Sequence, residues 1–121
     1  MVMLTAGGML ETKVLKKMRE RIIKNFMDML VLAELRNKPM SGYDVIGFIH
    51  HKFNLLVSSG TVYSLLYSME RKGLIEGRKN DRKRVYKLTE KGDETIETIL
   101  NANDKIKIFL VNLLKGKQRF S

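Results

Sequence analysis

Ser58-Ser59-Gly60-Thr61-Val62-Tyr63-Ser64-Leu65-Leu66 reads as the start of a helix. Serine and threonine hydroxyls at such a start accept hydrogen bonds from the free amides of the first turn. With the cap at Ser58 or Ser59, the helix is predicted to run to about Lys72 and to bury Val62, Leu65, Leu66 and Met69. Gly73 then stands where a helix end favours a left-handed residue, and Leu74 can pack back on the last turn. A second hydroxyl-rich start, Ser41-Gly42-Tyr43-Asp44, lies one short helix upstream. Asp44 falls in that helix's first turn, where the backbone dipole favours negative charge. Val45, Ile46, Phe48 and Ile49 form its apolar side, and it should end near Lys52.

Downstream, Ile75 to Lys79 and Arg84 to Leu88 read as two strands joined by Asn80-Asp81-Arg82, which has turn chemistry. Two short helices followed by a basic hairpin is the layout of a winged helix-turn-helix. Upstream, Leu10 to about Arg36 shows helical periodicity through Leu10, Val14, Met18, Ile22, Phe26, Met29, Leu30 and Ala33. Its second half, Phe26 to Leu35, is apolar nearly all round and should be deeply buried. Asn37-Lys38-Pro39 ends it. At the other end, Thr89 should cap one last helix of about six turns. Ile96, Ile99, Leu100, Asn103, Ile106, Phe109, Leu110, Leu113 and Leu114 form its apolar stripe.

The expected fold is mainly α with a small β-hairpin: a winged helix-turn-helix flanked by N- and C-terminal dimerisation helices. Residues 1–9 should be flexible or extend the first helix, and residues 10–89 should form the winged domain. Residues 90–116 should form the dimerisation helix and 117–121 a tail. The last helix carries more apolar side chains than so small a core can cover, which marks an interface. Asn103 is either a register-fixing polar group in that seam or a rim residue.

The chain has 121 residues, enough for one domain with one core. Its net charge of +10 implies an anionic partner, nucleic acid before membrane. Arg71 to Lys91 holds nine Lys/Arg against three acids, so +6 of that charge is concentrated in 21 residues. The absence of cysteine excludes disulfides and thiolate metal sites and fits a cytoplasmic protein. The apolar run Met1 to Leu10 is too short to cross a bilayer and has no basic segment before it. His50 and His51 are adjacent, point to different sides of a helix and cannot chelate as a pair. No nucleophile-plus-base arrangement or phosphate-cradling glycine loop is present, so neither an enzyme nor a cofactor is expected.

Four segments together resemble the PadR family of transcriptional regulators: Met40 to Val45, Leu56 to Leu66, Glu70 to Glu76, and Arg84 to Gly92. They fall in the family's order and spacing over about residues 26 to 92. Where the family usually has prolines, this chain has Gly60, with Ser59 shifted into the cap, and Ser64. The single C-terminal helix resembles the shorter branch of the family. The resemblance implies a homodimer held by the terminal helices and a repressor occupying operator DNA. It is equally compatible with a regulator that takes no ligand and with one that answers to a small aromatic or drug-like effector near the dimer interface, in a pocket lined by Met18, Ile22, Phe26, Ile99, Ile106 and Phe109. Family sites that use a tryptophan cannot apply, because this chain has none.

The expected contacts to double-stranded DNA come from Ser41, Tyr43, Ser58, Ser59, Gly60, Thr61, Tyr63, Ser64 and Tyr67, with Arg82, Lys83 and Arg84 on the wing. Tyr86 reads as core packing. Thr61, Ser64 and Ser68 share the outward face of the second helix, which lacks the Arg, Asn and Gln that make the best bidentate base contacts. Ordinary capping of a solvated helix accounts for the same hydroxyls, and a solvated hairpin for the same charges. The rival function is a basic architectural protein coating DNA without sequence preference. RNA binding would call on Tyr63 and Tyr67 for stacking.

Overall fold

The computed structural model describes residues 6–116. In chain order the elements are α1 (Ala6–Asn25), α2 (Met27–Leu35), β1 (Met40–Ser41), α3 (Gly42–Phe53), α4 (Ser59–Arg71), β2 (Ile75–Asn80), β3 (Lys83–Leu88), α5 (Glu90–Asn101) and α6 (Asn103–Lys115). The fold is the expected mainly helical winged helix-turn-helix, with a three-stranded antiparallel sheet in the order β1-β3-β2.

Local chemistry accounts for most boundaries. Ser41 and Asp44 form a reciprocal capping box at the start of α3: the Asp44 amide donates to Ser41 Oγ at 3.1 Å, and the Ser41 amide donates to Asp44 Oδ2 at 2.9 Å. Asn54, with φ of 54°, ends the helix by donating its amide to the His50 carbonyl. Ser58 caps α4 by accepting the Thr61 amide at 3.1 Å. The expected shift of the cap to Ser59 does not occur, because Ser58 is the extended residue whose hydroxyl faces the free amides. At the far end, Gly73 has φ of 78°. Its amide donates to Glu70 and that of Leu74 to Met69, so two otherwise free carbonyls are satisfied.

The same turn fastens the next helix. The Thr89 hydroxyl donates to the Gly73 carbonyl at 2.6 Å and accepts the Gly92 amide at 3.0 Å, so one side chain caps α5 and ties it to the end of α4. Arg36 adds a fork from the end of α2 to Asp93 at 3.0 Å and Glu97 at 2.9 Å. All three groups are partly exposed, so each pair contributes at most about 1 kcal/mol.

The core gathers Met27, Val31, Leu32 and Leu35 of α2, Val45 and Ile49 of α3, Val62, Leu66 and Met69 of α4, Ile75 and Tyr86 of the sheet, and Ile96 of α5. Burial of each such aliphatic side chain stabilises the fold by roughly 1.5–3 kcal/mol.

Several expectations are corrected. The single helix from Leu10 to Arg36 is two, meeting at Phe26, and the single C-terminal helix is also two, meeting at Ala102. Neither break has a proline or glycine. Each instead lies in a short run flanked by an asparagine and an aspartate, Asn25 to Asp28 and Asn101 to Asp104. At the first, Asn25 Nδ2 donates to the Arg21 carbonyl and Asp28 Oδ1 accepts the Met29 amide. At the second, Asn103 Nδ2 donates to the Leu100 carbonyl. Such local side-chain bonds compete with the helical ladder and allow the backbone to leave it.

A third strand, Met40–Ser41, adds to the expected hairpin by pairing Met40 with Tyr86 and Ser41 with Val85. Phe26, expected to be buried, is exposed along with Leu10, Val14, Met18 and Ile22, and the buried positions nearby are Ile23 and Met27. Residues 6–9 extend the first helix; residues 1–5 and the expected tail at 117–121 lie outside the described residues.

Candidate nucleic-acid interface

Three pieces of the chain form one surface. The start of α3 meets α4 through Gly42 and Tyr63, since a side chain at Gly42 would run into the Tyr63 ring. The wing meets α3 electrostatically. The Ser41 amide holds the Asp44 carboxyl below its ordinary value near 3.8, with smaller attractions from Lys83 and Lys38; partial burial works the other way. The wing meets α4 through Glu70, whose Oε2 accepts the Gly77 amide at 3.1 Å and Arg84 Nη2 at 2.7 Å.

On this surface Tyr43 and Tyr67 stand largely exposed and Tyr63 is half exposed. Ser58, Ser59, Gly60, Thr61 and Ser64 are exposed along the first turns of α4, whereas Ser68 is partly covered. The hydroxyls of Ser58 and Thr61 lie 2.8 Å apart, so both are engaged at the cap. Nothing within the fold approaches the position a Gly60 side chain would occupy. With the Thr61 amide taken by the cap, the first turn of α4 presents the backbone amides of Ser59 and Gly60, a geometry that suits a close anionic neighbour. Arg71 lies over the Tyr67 ring at 5.4 Å and adds positive charge beside the helix.

Two expected contact residues are engaged within the fold, Ser41 by burial and Arg84, which stays half exposed, by pairing with Glu70. Ser41 is buried, with its hydroxyl committed to the Asp44 amide and its backbone to β3, so it is structural support and offers no surface to a ligand. Arg84 lies across the wing onto Glu70 and 5.8 Å from the centre of the Tyr86 ring, while Arg82 and Lys83 stay exposed at the hairpin tip. The hydrogen bond that Arg84 donates to the Glu70 carboxylate raises the Arg84 pKa further above its already high value. Tyr86 is buried in the core, and that burial pushes its phenol up from the ordinary value of 10.0. Glu70 has no expected site role, although it opens the Glu70-to-Glu76 segment of the resemblance and is an acid placed beside Arg71 and Lys72 at the end of the helix.

The profile of the transcriptional regulator PadR-like family matches residues 31–98, the span that builds this surface. The chain belongs to the PadR-like transcriptional regulators.

Solved PadR-like structures repeat the fold. A PadR family regulator from Clostridium difficile R20291 is 25% identical with a TM-score of 0.64, the match covering 74% of this chain and 98% of that one. A PadR-like regulator from Bacillus cereus is 26% identical with a TM-score of 0.62, the match covering 80% of this chain and 99% of that one. Bacillus subtilis PadR, solved in complex with operator DNA, is 22% identical with a TM-score of 0.58. Its match covers 62% of this chain and 46% of that one. A search of curated proteins found no match.

The terminal helices of this PadR-like chain are bare. Apart from Tyr43, Leu56, Tyr63 and Tyr67, every large apolar side chain left exposed among the described residues lies on α1, at Phe26, on α5 or on α6. Of the expected interface residues, Leu100, Asn103, Ile106, Phe109, Leu110 and Leu113 are exposed and Ile99 is half-buried. Ile96 is corrected: it is 2% exposed and belongs to the chain's own core. Leu15, Ile108 and Val111, outside the expected stripes, are exposed beside them.

Met18 and Ile22 line an open groove of about 430 Å³ with Leu15, Arg19, Ile23 and Phe53. Arg19 Nη1 donates to the Phe53 carbonyl at 3.1 Å. Phe26, Ile99, Ile106 and Phe109 do not line this groove. No helix among the described residues is long and apolar enough to cross a membrane.

Proposed function

We propose that this protein is a homodimeric repressor that occupies a palindromic operator, reading the major groove with α4 and the flanking backbone with the wing. The observation that carries this reading is the continuous surface of Tyr43, the bare first turn of α4, and the basic hairpin tip. Family membership and a fold shared with an operator-bound PadR support it.

Ser58, Ser59, Gly60 and Thr61 bring amides and hydroxyls to a phosphate at the start of α4. Tyr43, Tyr63, Ser64 and Tyr67 face the groove, and Arg82 and Lys83 reach the adjacent backbone or minor groove. The outward face of α4 carries hydroxyls and rings in place of Arg, Asn and Gln, so discrimination rests on few direct base contacts together with water and DNA shape.

The bare stripes of α1 and α6 cover each other in a dimer, with residues 10–89 as the DNA-binding body and the end of the chain as the dimerisation arm. Two such bodies about a two-fold axis present their α4 helices to major grooves about 34 Å apart. A second chain's arm laid over the groove at Met18 and Ile22 would complete a pocket for a small aromatic or drug-like effector whose binding releases the operator. Such a regulator works in the cytoplasm, where the DNA is.

Selection of random duplex DNA by the purified protein at about 150 mM salt, where screening suppresses weak contacts, tests the reading. The expected product is a palindrome with half-sites about one helical turn apart. Tight binding that enriches no sequence would replace it with a protein that coats DNA.

A further inference from the structure

The three consecutive bases of the wing, Arg82, Lys83 and Arg84, are not equivalent. All three are exposed, but Arg84, with 49% of its side chain accessible, is engaged on three sides. Its Nη2 donates to Glu70 Oε2 at 2.7 Å, and its guanidinium lies beside the Tyr86 ring. Its shaft crosses Gly77, where any side chain would collide with the Arg84 guanidinium and the Tyr86 ring. The same Glu70 oxygen accepts the Gly77 amide of β2 at 3.1 Å. A single carboxylate at the end of α4 thus holds both strands of the wing, β2 through its backbone and β3 through a charged side chain.

Two consequences follow from this geometry. The wing is fixed relative to α4 before any DNA arrives, which removes an ordering cost from binding. The Arg84 charge is also balanced by a carboxylate within hydrogen-bond distance, and charge-assisted pairs of this kind are the stronger ones. We propose that Glu70 is a positioning and specificity-determining residue: it docks the wing on α4 and withholds Arg84 from DNA phosphates. Without Glu70, Arg84 becomes a free cation on a looser wing. It then adds one sequence-independent phosphate contact, raising affinity for all duplexes while eroding the preference for the operator. The inference rests on the wing-to-DNA reading above.

The test is the salt dependence of affinity for an unrelated duplex and for the selected operator. Each neutralised phosphate contributes about 0.9 to the slope of log affinity against log salt. Arg82→Ala should flatten the slope by about 0.9, and Arg84→Ala should leave it unchanged. Glu70→Ala should steepen it by about 0.9 on either duplex and lower the ratio of operator to unrelated binding. Glu70→Ala combined with Arg84→Ala should return the wild-type slope, which a merely structural role for Glu70 would not produce. Should Glu70→Ala fail to fold, Glu70→Gln carries the test, with a smaller steepening of the same sign.

Flattening by Arg84→Ala equal to that of Arg82→Ala would overturn the inference, as would an unchanged slope in a folded Glu70 variant. Wild-type protein that binds no duplex at all would overturn the DNA-binding reading itself. The two failures are therefore distinguishable.

Discussion

The central body and the terminal helices are written in the same apolar periodicity and end in opposite states. In α3 and α4 the periodic positions meet one another and the sheet, and Val45, Ile49, Val62 and Leu66 are fully buried. In α1 and α6 they meet solvent: Phe109 is 63% exposed, Leu114 is 73% exposed, and α6 has no buried residue. A helix pattern reports that a face will be covered and is silent on which chain covers it. The body buries its stripe within one chain, and the arms leave theirs exposed.

The largest effect should come from charging the bare face. Phe109→Glu combined with Leu113→Glu should leave the body folded and the protein monomeric. Operator affinity should fall by about 100-fold or more once two linked half-site contacts become one, as gel-shift titration would show. Retention of the dimer would place the interface elsewhere.

Leu66→Ala makes the opposite change. It empties a buried site, so denaturant unfolding should show a loss of about 2–5 kcal/mol with the oligomeric state unchanged at temperatures where the protein is folded. A loss below about 1 kcal/mol would mean the core of the body is less tightly packed than the burial of Leu66 implies.

Smaller effects belong to the caps. Ser41→Ala removes one half of the α3 capping box and should cost about 1 kcal/mol. Its partner Asp44 titrates below its ordinary value in the folded chain, so its contribution is present above about pH 3.8 and fades as the pH falls through the depressed folded value. The stability gap between wild type and Asp44→Asn should therefore be widest near neutrality and close in acid. A gap that widened on acidification would contradict the capping box.

The smallest expected change in stability is at Gly60. Alanine there meets open space in a helical first turn, so Gly60→Ala should be neutral or stabilising by up to about 1 kcal/mol. DNA binding should nonetheless weaken, because the added methyl group blocks close approach to the first-turn amides. A stabilised variant with undiminished DNA binding would remove Gly60 from the interface.

What was legible in the sequence is what local chemistry encodes. Ser41 with Asp44, Ser58, Gly73 and Thr89 marked their boundaries within a residue or so, because caps and left-handed stops act through neighbours in the chain. The breaks at Phe26 and Ala102 escaped because no proline or glycine marks them, although the flanking Asn25 and Asp28, and Asn101 and Asp104, were a readable signal. Strand β1 is two residues long and exists only because β3 lies beside it. At the site, exposure of Tyr43, Tyr67, Arg82 and Lys83 agreed with the pattern. The pairing of Arg84 did not show, because it depends on Glu70, fourteen residues away, and on the missing side chain of Gly77. Ile96 and Ile99 are three residues apart on one stripe, yet Ile96 is in the core and Ile99 only half-buried; the stripe passes from core to arm between them.

Sedimentation equilibrium of the full chain at micromolar concentration, free of DNA, tests most directly whether the bare arms belong to a second copy. The account predicts a single species of twice the chain mass, with no monomer resolved. A monomer at that concentration, with α1 and α6 still helical, would contradict it.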